Sequence, residues 1–325
     1  MLDSKPSKPL PLKAILWLFI IILFLNAVML VIIRARYQES YYAALVDKIG
    51  LLEDTHSPRI IFVGGSNVAF GIDSEKISQQ TGYNVVNMGL NGNLGIRFML
   101  ATIKPTLQLG DIVIIMPEYQ QFLNEKNNMG PAYLQTLIAN PTLLRYISSA
   151  DEVIYLAEIF PYVYTQTVRS FCKDLSQRDC LFCENNEQIY HRSAFNTFGD
   201  MMSHEQIHPT QEISHLYLEN RQNNPNISKT ISIINKFALY VEEKMGSVFL
   251  LYPATPSPSD DATYEILDYL DLRLKNELNI TVVGNPSDAW YSRGFFFDTY
   301  YHLTPQGREI NTERVIDYLL SILQK

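Results

Sequence analysis

Five short apolar runs set the architecture of this chain: RIIFVG (59–64), YNVVNMG (83–89), DIVIIM (111–116), SVFLLYP (247–253) and NITVVG (279–284). None alternates apolar and polar residues as a strand with one wet face does, so each reads as a strand buried on both sides. Helical stretches separate them, one after Asp73, then within 94–107, over 227–245, over 262–277 and over 305–323. Strands and helices in this order build a parallel sheet between two helical layers. The expected fold is therefore α/β, a five-stranded parallel sheet in three layers. Alternation is lost over about 117–228, a Tyr-, Asn- and His-rich stretch with helical patterns near 133–138 and 152–156. That is too long for a simple connection and reads as an inserted cap region.

Ahead of the domain, Ala14 to Ile33 (AILWLFIIILFLNAVMLVII) is a twenty-residue apolar run in which Asn26 is the one strongly polar member. That is the length a helix needs to cross a bilayer core. Arg34, Arg36 and Tyr37 follow where the small residues of a signal-peptidase site would stand, so an uncleaved anchor is expected rather than a removed leader. Lys5, Lys8 and Lys13 before the run nearly balance Arg34, Arg36 and Lys48 after it, so charge does not orient the helix. Residues 1–36 form tail and membrane helix, 37–57 reads as a helical stalk, and 58–325 as the α/β domain.

Setting aside the first 36 residues, with five basic and one acidic side chain, leaves 21 basic and 33 acidic residues. A domain carrying a formal −12 repels a phosphate backbone, which argues against a nucleic-acid partner. Cys172, Cys180 and Cys183 lie within a dozen residues. Two of them closing a surface loop in an oxidising compartment is the first reading, a zinc site completed by His191 the second, and free thiols the third.

Ligands of parallel sheets bind beyond the carboxyl ends of the strands. Three of those ends carry polar clusters: GGSN (64–67), NMGLNGN (87–93) and PEYQQ (117–121), with a fourth, FFFDTYYHLTPQG (295–307), before the last helix. Alone, GGSN is a turn and a helix cap, and the spacing fits neither a dinucleotide or phosphate loop nor the GxSxG elbow. Together the clusters supply Ser66 as a nucleophile, His302 as its base and Asp298 as the carboxylate that holds the imidazole.

These blocks resemble the SGNH or GDSL-type hydrolases, in particular membrane-anchored members that work on cell-envelope glycans. GGS (64–66) is similar to their first block with Gly65 in place of aspartate, VVNMGLNGN (85–93) to the second, and DTYYHLTPQG (298–307) to the last. The resemblance covers about 58–120 and 245–320. It implies a flavodoxin-like fold, a Ser66–His302–Asp298 triad, and an oxyanion donor at Gly92 with Gly89 as second choice and Asn91 beside them. PEYQQ stands where the family has Gly-x-Asn, which shifts the third donor to Gln120 or Tyr119, and Asp298 precedes His302 by four residues rather than three. It further implies an esterase or O-acyltransferase acting on acyl, foremost acetyl, esters of an envelope or extracellular glycan, in a domain on the extracytoplasmic side. Its partners would be that ester substrate and the membrane, no cofactor is expected, and the sequence names no protein partner. A scaffold that has lost activity through Gly65 and PEYQQ is the alternative.

A competing pattern is His204-Glu205-Gln206-Ile207-His208, which matches the HExxH of zinc peptidases. It needs both histidines on one face of an unbroken helix, and Pro209 follows immediately. His204 and His208 are therefore weak metal candidates, and the segment reads mainly as a polar part of the cap.

Overall fold

The computed structural model describes residues 11–123, 129–177, 189–209, 213–218 and 227–323. Its sheet has five parallel strands, β1 (Arg59–Gly64), β2 (Asn84–Asn87), β3 (Ile112–Met116), β4 (Ser247–Leu251) and β5 (Thr281–Val283), in the spatial order β2-β1-β3-β4-β5. Register is set at the centre, where Ile60 pairs with Ile112 and Gly64 with Met116, so β1 and β3 end level with one another. Every residue of β1 and β3 is buried, as their unbroken apolar runs require.

Alternate side chains of β1 feed the two faces. Ile61 and Val63 join a core with α2 (Ala44–Asp54), α5 (Ile96–Ile103), α9 (Ser228–Glu243) and α10 (Asp261–Glu277). Ile60 and Phe62 meet Ile77 of α4 (Ser74–Thr81) and Val315, Ile316 and Leu319 of α11 (Pro305–Leu323). The expected three layers are present. The strand ends at which the polar clusters sit lie together at one edge of the sheet.

Two expected segments turn out differently. Residues 37–57 are no stalk, because Leu45, Ile49 and Leu52 of α2 are buried in the main core and Lys48 beside them is 2% exposed. The Lys48 ammonium donates to the carbonyls of Asn87, at 3.1 Å, and Gly199, and burial pulls its pKa down to about 7. A lysine in a helix otherwise amphipathic reads from sequence as solvated; here its carbonyl partners come from residues 39 and 151 positions away. The second difference is α8 (Ala150–Gln177), which runs for 28 residues through Pro161 where the sequence pattern marks a helix only near 152–156. Proline removes one donor without ending this helix, so the pattern near 152–156 marks only its first part.

The amino ends of β1 and β3 are joined by a bidentate ion pair, Arg59 Nε and Nη2 to Asp111 at 3.1 and 2.6 Å, both side chains essentially inaccessible. Arg59 also donates to the carbonyls of Leu52, Thr55 and Thr106, tying α2 to the sheet. Removing one member strands a buried charge, which costs about 3–5 kcal/mol, whereas an apolar pair of like volume is nearly neutral. Urea unfolding of the detergent-solubilised chain should therefore show a large loss for Arg59→Met and recovery of most of it on adding Asp111→Leu.

Candidate active site

Gly64 ends β1 against β3, where a Cβ would come 2.5 Å from the Met116 carbonyl. The chain turns at Gly65 and enters the short α3 (Ser66–Ala69), so Ser66 stands at a helix start just past the sheet edge. Asn67 fixes that turn, its Oδ1 accepting from Gly65 N at 3.0 Å and its Nδ2 donating to Met116 O at 2.9 Å. The GGSN cluster is thus a turn and a staple as the bland reading has it, and it also presents Ser66 to a cleft.

That cleft, of about 260 Å³, is lined by Ser66, Asn91, His302, Tyr41, Tyr42 and Tyr190. His302 arrives from the loop before α11, and its Nδ1 lies 2.7 Å from Asp298 Oδ1 and 3.1 Å from the Tyr190 hydroxyl. Tyr190 in turn donates to Asp298 Oδ2. Phe70 stacks flat on the imidazole, ring centres 3.9 Å apart and planes 6° from parallel, which fixes the plane of the ring. Burial opposes charge on Asp298, yet the His302 contacts and the Tyr190 hydroxyl hold its pKa below the usual aspartate value. An ionised carboxylate only accepts, so Nδ1 carries the proton and Nε2 of the neutral ring is left as the acceptor. The four-residue spacing of Asp298 and His302 is accommodated by a turn in which Phe297 N donates to His302 O and His302 N to Thr299 O.

Ser66 does not bond to His302. Its N–H and its hydroxyl both donate to Glu118 Oε1, at 3.0 and 3.1 Å. Glu118 is 7% exposed and sits between two glycines: a Cβ on Gly65 or on Gly92 would lie 2.1 Å from one or other of its carboxylate oxygens. Burial raises the Glu118 pKa against the lowering effects of the His302 charge and of hydrogen bonds from Ser66 and the Asn67 backbone. A carboxylate from the end of β3 therefore stands beside Ser66. Sequence reasoning passed over Glu118 inside PEYQQ, and the available signal was the pair of departures taken together, since a glycine at 65 leaves the room a glutamate at 118 fills.

The other expected donors divide. Gly92 N–H has no partner among the described residues and lies against the Glu118 carboxylate. Gly89 N–H is taken by Asn87 Oδ1 at 2.9 Å, so Gly89 serves close packing against Val68 and Ala69 instead. Asn91 lines the cleft while its Oδ1 accepts from Asn93 N. Gln120 is turned away, held between the hydroxyls of Tyr300 and Tyr301 at 2.9 and 2.6 Å. Tyr119 points into the core at 1% exposure, its hydroxyl has no partner among the described residues, and burial raises its pKa. Its neighbour Gln121 is the residue that positions Glu118, accepting from Glu118 N at 3.0 Å and donating to Gly92 O at 3.2 Å.

Tyr41, Tyr42 and Tyr190 were not singled out in the sequence as cleft residues. The first two follow the apolar run and the third belongs to the 117–228 region, far in sequence from any motif. Residues 203–207 are a series of turns, so the HExxH pattern has no helix to carry it. His204 is buried between Phe70 and Phe297 with Nε2 on Leu303 O at 3.1 Å, Glu205 pairs with Arg308, and His208 is exposed. Burial drives the His204 pKa down to about 4, the behaviour of a neutral core histidine. No metal-ligating cluster exists among the described residues. Cys172 is exposed on α8, and Cys180 and Cys183 lie outside the described residues, as does any pairing between them.

In comparison with known proteins, no family model, no curated protein and no solved structure matches this chain. Function has to be argued from the cleft itself.

Proposed function

We propose that this chain is a membrane-anchored serine esterase or O-acyltransferase of the SGNH type, acting on acyl, foremost acetyl, esters of an envelope or extracellular glycan or related polymer. One observation carries the reading: Ser66 and His302, 236 positions apart, border one cleft, with His302 Nδ1 held by Asp298 and Nε2 left as acceptor. The strand order 2-1-3-4-5 supports a flavodoxin-like sheet, whose ligands sit where β1 and β3 diverge. Tyr190, from the region read as an inserted cap, supports a role for that region in closing the site.

In the proposed reaction Ser66 Oγ leaves Glu118 by rotation, gives its proton to His302 Nε2 and attacks the acyl carbonyl. The oxyanion is received by Gly92 N–H and by the Ser66 N–H, which exchanges its own hydrogen bond to Glu118 Oε1 for one to the oxyanion. Asp298 and Tyr190 steady the imidazolium, which protonates the leaving alcohol oxygen. Water or a second hydroxyl then gives its proton to His302, takes the acyl group and returns Ser66 to its starting form. A cleft of about 260 Å³ suits a short acyl group better than a fatty one.

A second reading is favoured by the Ser66–Glu118 hydrogen bonds, which hold the hydroxyl away from the imidazole as a non-catalytic binding subunit could. Turnover of p-nitrophenyl acetate and of acetylated xylan by the purified full-length chain separates the two. Activity that disappears in Ser66→Ala supports the enzyme, and turnover equal in both proteins points to the binding subunit. Helix α1 (Leu12–Tyr37) is long and apolar enough to span a bilayer. The proposal places the domain outside the cytoplasm, which a periplasm-active reporter on the carboxyl end would test.

A further inference from the structure

Of the large apolar side chains exposed outside α1, five are on α8: Val153, Ile154, Phe160, Tyr162 and Leu175. Val153, Ile154, Ala157, Phe160, Pro161 and Tyr164 fall at helical spacing on one stripe without a charge, while Glu152, Tyr155 and Val163 bury another face of the helix. Scattered exposed apolar residues are ordinary, but a continuous stripe of them needs a cover. The contacts of α8 with α1 identify that cover.

Tyr164 donates its hydroxyl to Asn26 Oδ1 at 2.9 Å, and Asn26 lies seven residues before the end of the apolar run at Ile33. At about 1.5 Å per residue that is roughly 10 Å inside the end of the run. Tyr37 and Thr167 are joined at 2.9 Å, Arg36 donates to Ser170 at 3.1 Å, and Ile33 is buried with Ile138, Ala139 and Tyr164. These bonds clamp α8 across nearly the last half of α1. Phe160 stacks on Tyr164, and Tyr164 bonds to Asn26, whose neighbours on α1, Phe24, Leu25 and Val28, are exposed. Whatever medium covers that part of α1 reaches α8 as well.

We infer that α8 is an interfacial helix whose apolar stripe is buried in the same lipid leaflet as the carboxyl-terminal part of α1. The Tyr164 hydroxyl, paired with Asn26 rather than with water, has the internal partner that a polar group needs at that depth. The inference rests on α1 being a membrane anchor. Its consequence for the cleft is direct: Tyr41 and Tyr42 line it and stand four and five residues beyond Tyr37, a span of at most about 18 Å. The site is held beside the bilayer surface, where a substrate carried on a lipid or a membrane-attached polymer presents itself.

The test uses the full chain in vesicles of phosphatidylcholine and phosphatidylglycerol, with Cys172, Cys180 and Cys183 changed to serine. Nitroxide labels are placed one at a time through Val28→Cys, Ile154→Cys, Phe160→Cys and Leu272→Cys, all exposed positions. The expected result is an oxygen-to-nickel-chelate accessibility ratio at 154 and 160 severalfold above that at 272 and close to that at 28. Equal ratios at 154, 160 and 272 beside a lipid-like 28 overturn the interfacial helix and leave the anchor standing. A water-like ratio at 28 too removes the anchor and the inference with it.

Discussion

Changing His302 to alanine is expected to lower acyl-ester turnover by roughly 10²–10⁴-fold, the usual contribution of a positioned general base, with the fold retained. The side chain removed is the one whose Nδ1 is fixed on Asp298 at 2.7 Å and whose ring is stacked on Phe70. Its loss leaves Ser66 without an acceptor for its proton on the cleft side. Asp298→Asn should fall in the same direction, because an amide that donates to Nδ1 would move the ring proton to Nε2 and present Ser66 with a donor instead of an acceptor. Steady-state rates with p-nitrophenyl acetate, alongside thermal unfolding to show that the variants are folded, measure both. Turnover unchanged in His302→Ala would remove the imidazole from the mechanism.

Glu118 should give effects of opposite sign in two variants. Glu118→Ala empties the space between Gly65 and Gly92, neither of which has a side chain to fill it, and takes the acceptor from Ser66 N and Oγ. Such a cavity together with a lost buried acceptor costs about 2–5 kcal/mol. Glu118→Gln keeps an oxygen for Ser66 and removes only the charge. Because burial raises the Glu118 pKa, the folded state binds its proton up to a higher pH than the unfolded chain does. The group's favourable contribution is therefore present below the unfolded carboxyl value and is lost as pH rises through the folded one. Glu118→Gln should then be more stable than the parent at pH 7–8, within the roughly 0.5–3 kcal/mol range of single substitutions, and the gain should vanish towards pH 4. Urea midpoints across pH 4–8 give the comparison. A glutamine variant less stable than the parent at neutral pH would mean that the Glu118 charge is welcome there, contrary to its burial between two glycines.

The sheet was legible because strands buried on both faces leave a dense apolar signal. RIIFVG and DIVIIM became β1 and β3 almost residue for residue, since no competing periodicity runs through them. Ser66, Asp298 and His302 were legible as candidates as well, Ser66 opening α3 after β1 and the other two lying on the loop before α11. Glu118 was not, because its contact with Ser66 depends on how far β3 extends relative to β1, a matter of register that local sequence does not encode. Tyr41 and Tyr190 enter the cleft only because α2 packs into the core and residues 189–202 return across the carboxyl end of β2. The HExxH pattern misled for a related reason: His204 is a core residue placed by Phe70, Phe297 and the Leu303 carbonyl, and the spacing to His208 has no bearing on that environment.

The proposed chemistry requires above all that Ser66 be a nucleophile that its neighbours activate. Incubating the full-length chain with a fluorophosphonate probe and mapping the adduct by peptide mass spectrometry tests this directly. The expected result is a single adduct on the peptide that contains Ser66, lost in Ser66→Ala and strongly slowed in His302→Ala. No adduct on Ser66 under conditions that label a known serine esterase, or labelling that persists undiminished in Ser66→Ala, would contradict it.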